Sequence, residues 1–182
     1  MLARISQSLA FAAALILAKT ALGDPIEVNP TTVTVVYGRI VSGDVKALGG
    51  ADGTALRVGK FNVPVIPNDP ITFRIETSLP LAPTGLEFHL LSHQVNMGSI
   101  SQSLNLYDWS KSVFEPTTNV TAALSRDDSE MVCPAVGDVS RYFRASDNRV
   151  WALVRVRALG FTSVVNWAID YDRAWFVATT GP

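Results

Sequence analysis

Trp151 stands in an alternating run in which Val150, Ala152, Val154 and Val156 occupy one face. It shares the other face with Arg155 and Arg157. An indole beside two guanidinium groups is the kind of surface on which an apolar ring face packs while nearby polar groups fix its orientation. Sugar C–H faces suit it. Tyr107 and Trp109 share one face at the end of another alternating run and form a second candidate platform. Each of these rings also has a structural reading, because large aromatics in a sheet often fill the rim of a core. Trp167 shares parity with Val165 and Ile169 and is expected in the core, whereas alternation does not place Trp175.

Metal chemistry has weaker support. His89 and His93 share parity with Glu87, but residues four apart in a strand lie about 13 Å from each other. Both imidazoles cannot reach one ion with bonds of about 2 Å, so a solvated strand face is expected there. Asp127, Asp128 and Glu130 form a compact acidic turn, and Asp170 and Asp172 share a strand face. These are candidates for a structural calcium site, which takes its ligands from oxygen. No other cofactor is expected.

The sequence contains no Gly-x-Ser-x-Gly elbow and no His-Glu-x-x-His pair, and it offers only two histidines as bases. A non-enzymatic role is expected. A small hydrolase would need two carboxylates brought together from distant strands. Cys133 is the single cysteine and sits in Met131-Val132-Cys133-Pro134. It reads as a small buried hydrophobe with no disulfide partner in the chain. Asn119-Val120-Thr121 is a glycosylation sequon if the host uses one.

The elements that must position these residues follow period two. Ile71, Phe73 and Ile75 alternate with Thr72, Arg74 and Glu76; Leu86, Phe88 and Leu90 alternate with Glu87, His89 and Leu91. One face is apolar and the other mixed, as in antiparallel strands that cover a core on one side. Strands are predicted at 32–41, 55–63, 70–78, 85–92, 95–107, 118–125, 139–144, 149–158, 163–169 and 172–179, with a short helix around 138–144 as the alternative there. Gly49–Gly53 and the prolines at 64, 67, 70, 80 and 83 punctuate them. The pattern predicts an all-β chain, an antiparallel β-sandwich or jelly roll.

Residues 1–23 read as an export signal, with Arg4 ahead of an apolar Leu9–Ala18 core and Ala21-Leu22-Gly23 as the cleavage pattern. That core is shorter than the roughly 20 residues a spanning helix needs. Cleavage near Gly23 leaves 24–182 as one domain of 159 residues, with 13 basic and 16 acidic groups. No run of like charge exceeds two residues, so nucleic acid is not an expected partner, and no later stretch is apolar enough to span a membrane. A secreted, periplasmic or cell-surface location is expected.

Three segments, 33–43 (VTVVYGRIVSG), 104–109 (LNLYDW) and 167–172 (WAIDYD), resemble exported bacterial β-sandwich proteins with a galactose-binding-like jelly-roll pattern. The resemblance implies a sandwich outside the cytoplasm and carries no catalytic residue with it. The leading expectation is a non-catalytic exported sandwich acting through surface contacts in a structural or interaction role, its partner unknown, whether a glycan or another extracytoplasmic protein. The alternative is a carbohydrate-binding module with a glycan partner, using Trp151, Arg155, Arg157, Tyr107 and Trp109.

Overall fold

The computed structural model describes residues 23–50, 53–60, 71–95, 99–158 and 167–181. The export segment expected at 1–23 falls outside them except for Gly23. The described strands are β1 (Ile26–Val28), β2 (Thr32–Tyr37), β3 (Arg39–Ser42), β4 (Leu56–Gly59), β5 (Ile71–Ser78), β6 (Gly85–Gln94), β7 (Ile100–Asp108), β8 (Val113–Phe114), β9 (Val120–Ala123), β10 (Ser129–Pro134), β11 (Arg149–Ala158) and β12 (Ala168–Thr179). One sheet runs β10-β6-β12-β4-β3, with β1 also on β12; the other runs β2-β5-β11-β7-β8, with β9 also on β7. All these pairings are antiparallel. The result is the expected antiparallel sandwich of jelly-roll type.

Alternation dictates which side chains meet between the sheets. Leu56, Val58, Phe88, Leu90, Ile169, Tyr171 and Phe176 come from the first sheet. Phe73, Ile75, Leu104, Leu106, Val150, Val154 and Val156 come from the second. Phe73 meets the Tyr171 ring edge-on at 4.9 Å, tying the two layers together. The fully buried Gln102 of β7 donates across the gap to Ser92 Oγ of β6 at 3.1 Å, while its Oε1 has no partner among the described residues. Trp167 is buried as expected. Cys133 is buried too, its thiol pushed up to about 11 by desolvation. Its Sγ donates to the Thr118 carbonyl at 3.1 Å.

Tyr171 Oη is completely buried and donates to no described residue. An unpaired buried hydroxyl is costly, whereas the ring packing would survive its removal. Tyr171→Phe is therefore expected to raise stability by about 1 kcal/mol. A higher urea midpoint at unchanged slope would show it, and a lower midpoint would mean the hydroxyl is satisfied.

Several boundaries depart from the sequence reading. The single strand expected at 32–41 is broken by Gly38, whose φ of +93° is left-handed territory that a side chain disfavours. Its halves go to opposite sheets, β2 to an edge of one and β3 to an edge of the other. The strand expected at 139–144 is a single 3-10 turn, Val139–Tyr142, capped by Asp138 accepting from the Ser140 N–H at 3.0 Å; the alternative short helix is the better description. Of the strand expected at 163–169, residues 163–166 lie outside the described residues; the rest joins the strand expected at 172–179 in β12, which continues through a register shift between Tyr171 and Arg173. β1, β8 and β10 were not expected. β10 follows an acidic turn and ends on Pro134, which obscured its burial of alternate residues Met131 and Cys133.

Candidate binding face on the second sheet

Register explains why the two expected platforms are one. On β11, Trp151 faces away from the core, and β7, on the other side of the same sheet neighbourhood, brings Tyr107 outward beside it. The Tyr107 ring centroid lies 4.9 Å from Trp151 and 4.8 Å from Trp109, with Trp109 4.4 Å from Trp151. Phe114 of β8 closes the group at 5.0 Å from Tyr107. All four rings are half-buried.

Two guanidinium groups cover indole faces. Arg74 of β5 sits 3.9 Å from the Trp151 ring centre, and Arg144 sits 4.2 Å from that of Trp109. Each arginine is itself held: Arg74 donates to Glu76 at 3.1 Å, and Arg144 donates through Nε to Asp147 at 2.6 Å. Such stacking fixes ring orientation and leaves charged, planar donors at the edge of the aromatic group.

Trp109 lies just past the end of β7, and a polar knot holds it there. The buried Asp108 accepts from the Ser110 N–H at 2.9 Å, Ser110 Oγ–H at 2.6 Å and Lys111 N–H at 3.2 Å. Arg141 Nε lies 2.8 Å from the other Asp108 oxygen, an ion-pair contact without the alignment of a hydrogen bond. Arg141 also reaches Glu115, to which Lys111 Nζ donates at 2.7 Å. The Trp109 N–H donates to the Arg141 carbonyl at 2.7 Å, completing the link from knot to platform.

Further along the same face, cross-strand partners Arg155 and Ser103, Arg157 and Ser101, and Ser103 and Thr121 line a groove of about 250 Å³ together with Asn119. Arg155 Nη1 donates to Asn105 Oδ1 at 3.3 Å. Asn119 Nδ2 donates to Thr121 Oγ1 at 3.0 Å, so the sequon residues form part of the groove wall. Trp151 and Arg157 are six residues apart on β11, and the strip from rings to groove is about 20 Å long. Every expected site residue (Tyr107, Trp109, Trp151, Arg155, Arg157) thus lies on one sheet face.

Sequence reasoning missed Arg74, Phe114, Asn105 and Arg144. The first was accessible, since pairing β5 with β11 sets Glu76 opposite Trp151 and brings Arg74 onto the same face. Arg144 arrives from outside the strands, where alternation has no bearing.

The outer face of the first sheet carries the histidines and acids. His89 Nδ1 is 2.6 Å from Glu130 and Nε2 is 3.1 Å from Glu87, with the ring stacked at 4.9 Å on Trp175, its cross-strand partner. That register places Trp175, which alternation left open. The solvated face expected for His89 and His93 is instead two carboxylate-paired imidazoles. Asp127, Asp128 and Glu130 do not converge as the calcium reading required, because Glu130 turns to His89 while Asp128 turns to His93.

Comparison with known proteins returns no matching family model and no matching curated protein. Among solved structures, the xylan-binding module CBM15 superposes with a TM-score of 0.50 at 10% identity, covering 88% of this chain and 99% of its own. TmCBM61 in complex with β-1,4-galactotriose gives 0.44 at 9% identity, covering 89% and 93%. The CBM22-1 xylan-binding domain of Paenibacillus barcinonensis Xyn10C gives 0.42 at 7%, covering 90% and 99%. At such identities the likeness concerns fold: this chain has the jelly-roll β-sandwich architecture found in carbohydrate-binding modules. Among the described residues no helix is long and apolar enough to cross a membrane.

Proposed function

We propose that the chain is a carbohydrate-binding module whose ligand lies along the outer face of the second sheet. The observation that carries this reading is the convergence of Tyr107, Trp109 and Trp151 with the Arg155 groove on one sheet face. Aromatic rings supply the apolar contact for a sugar face, and hydroxyl, amide and guanidinium groups supply directional hydrogen bonds to its hydroxyls. A sandwich similar in fold to a xylan-binding module supports the same direction. This reading is preferred to the contact-only role because a protein-docking patch has no need of a polar groove continuous with held rings. Binding, and no bond breaking, is the function assigned.

A glycan array followed by calorimetry on the strongest hits tests it. Wild type is expected to bind at least one neutral or acidic polysaccharide. Trp151→Ala and Arg155→Ala should each weaken binding about tenfold or more, equivalent to about 1.4 kcal/mol. Absence of any glycan above background, or equal binding by Trp151→Ala, would overturn the proposal.

A further inference from the structure

The outer face of the first sheet holds a side-chain group that the glycan reading does not use. His93 on β6, Asp128 on the connection from β9 to β10, and Asp172 on β12 converge from three separate segments. His93 Nδ1 lies 2.7 Å from Asp128 Oδ1 and 3.1 Å from Asp172 Oδ2. The three donor atoms all fall within 4.8 Å of one another. Ligands bonded at about 2.1 Å to one ion in tetrahedral or octahedral geometry stand about 3.0–3.4 Å apart. The two separations from His93 Nδ1 are already close to those of neighbouring ligands on a shared ion, and the third pair lies within 4.8 Å.

Two further features prepare the group. The β-bulge in β12 makes Asp172 the extra residue between the Tyr171–Ser92 and Arg173–Leu91 pairs, so it has no cross-strand partner of its own and its carboxylate reaches His93. Behind the imidazole, Nε2 faces the nearly buried Asp170 at 3.7 Å, and Arg57 grips Asp170 with two bonds of 2.6 Å. The His93–Asp170 contact is electrostatic, not a hydrogen bond, and it places a fixed negative charge on the far side of the ring.

We propose that His93, Asp128 and Asp172 bind one divalent transition-metal ion of the zinc or manganese class. One nitrogen with two oxygens suits these ions better than calcium, which prefers an all-oxygen cage. Asp128 lies where the chain passes from the second sheet to the first, so the ion fastens that crossover to β6 and β12.

The test uses chelator-treated full chain titrated with Zn2+ or Mn2+ alone. Calorimetry is expected to show one ion per chain and a raised unfolding temperature. Asp172→Asn and His93→Gln should lose both effects, while Glu130→Gln, which touches only the His89 pair, should keep them. In the wild type, paramagnetic Mn2+ should broaden the His93 ring signals before those of His89, a readout independent of whether the variants fold. No uptake of either ion, uptake undiminished in Asp172→Asn, or broadening of His89 first would each overturn the proposal.

Discussion

Asp108→Ala is expected to cost about 2–3 kcal/mol of stability, the range for hydrogen bonds to a charged group, and to loosen Trp109 from its place beside Trp151. The carboxylate takes three donors from the turn after β7 and faces Arg141. Its loss leaves Arg141 with Glu115 alone and releases the segment whose carbonyl holds the Trp109 N–H. Burial alone would raise the Asp108 carboxyl, but the Ser110 and Lys111 donors and the Arg141 charge outweigh it and hold it below the ordinary value. Glu115 is also held low, chiefly by its bond from Lys111 and then by the Thr117 N–H.

The sign for pH follows directly. A carboxyl depressed in the folded state contributes stability that is fully present above its unfolded pKa of about 4 and is lost as pH falls through the folded value. The wild type should lose stability as pH drops below about 4, and Asp108→Asn, which cannot ionise, should show a shallower loss. Urea melts at neutral and acid pH measure both. Parallel curves for wild type and Asp108→Asn would show that the knot plays no part in acid unfolding.

Phe176→Ala is expected to be the most damaging substitution in the core, at about 4 kcal/mol. Phe176 is fully buried, pairs across β12 and β6 with Phe88 in register, and packs against it at a tilt of 43° with ring centroids 4.9 Å apart. Both rings sit between sheets whose backbones are tied by neighbouring ladders, so little collapse into the void is available. A thermal scan should show a fall on the order of 10 °C or more. Phe176→Leu, which keeps most of the volume, should recover much of that loss. A loss below about 1 kcal/mol in the alanine variant would mean that the interior relaxes around the cavity.

The sandwich was readable because alternation in β5, β6 and β11 is a local property carried by neighbouring residues. The five residues expected on a binding surface do share one sheet face, but their union was not readable. Nothing local states that β7 pairs with β11, and that pairing brings Tyr107 to Trp151. The same limit separated His93 from Asp128 and Asp172, which lie 35 and 79 residues away along the chain. β10 was missed for a different reason: a short edge strand that follows Asp127-Asp128, opens on Ser129 and closes on Pro134 resembles loop by composition. The bulge at Asp172 was beyond sequence reasoning, because an unpaired residue in a ladder depends on both strands.

The Gly23 N–H donates to the Thr180 carbonyl at 3.0 Å, and β1 lies alongside the end of β12. The chain thus enters and leaves the sandwich at nearly one point. That point belongs to the first sheet, the layer opposite the groove and its rings. With its ends adjacent, the fold suits circular permutation or splicing into a surface loop of another protein, which would need to widen very little to accept it. In an insertion the junction sits on the far layer, and the Trp151 face stays turned away from the host.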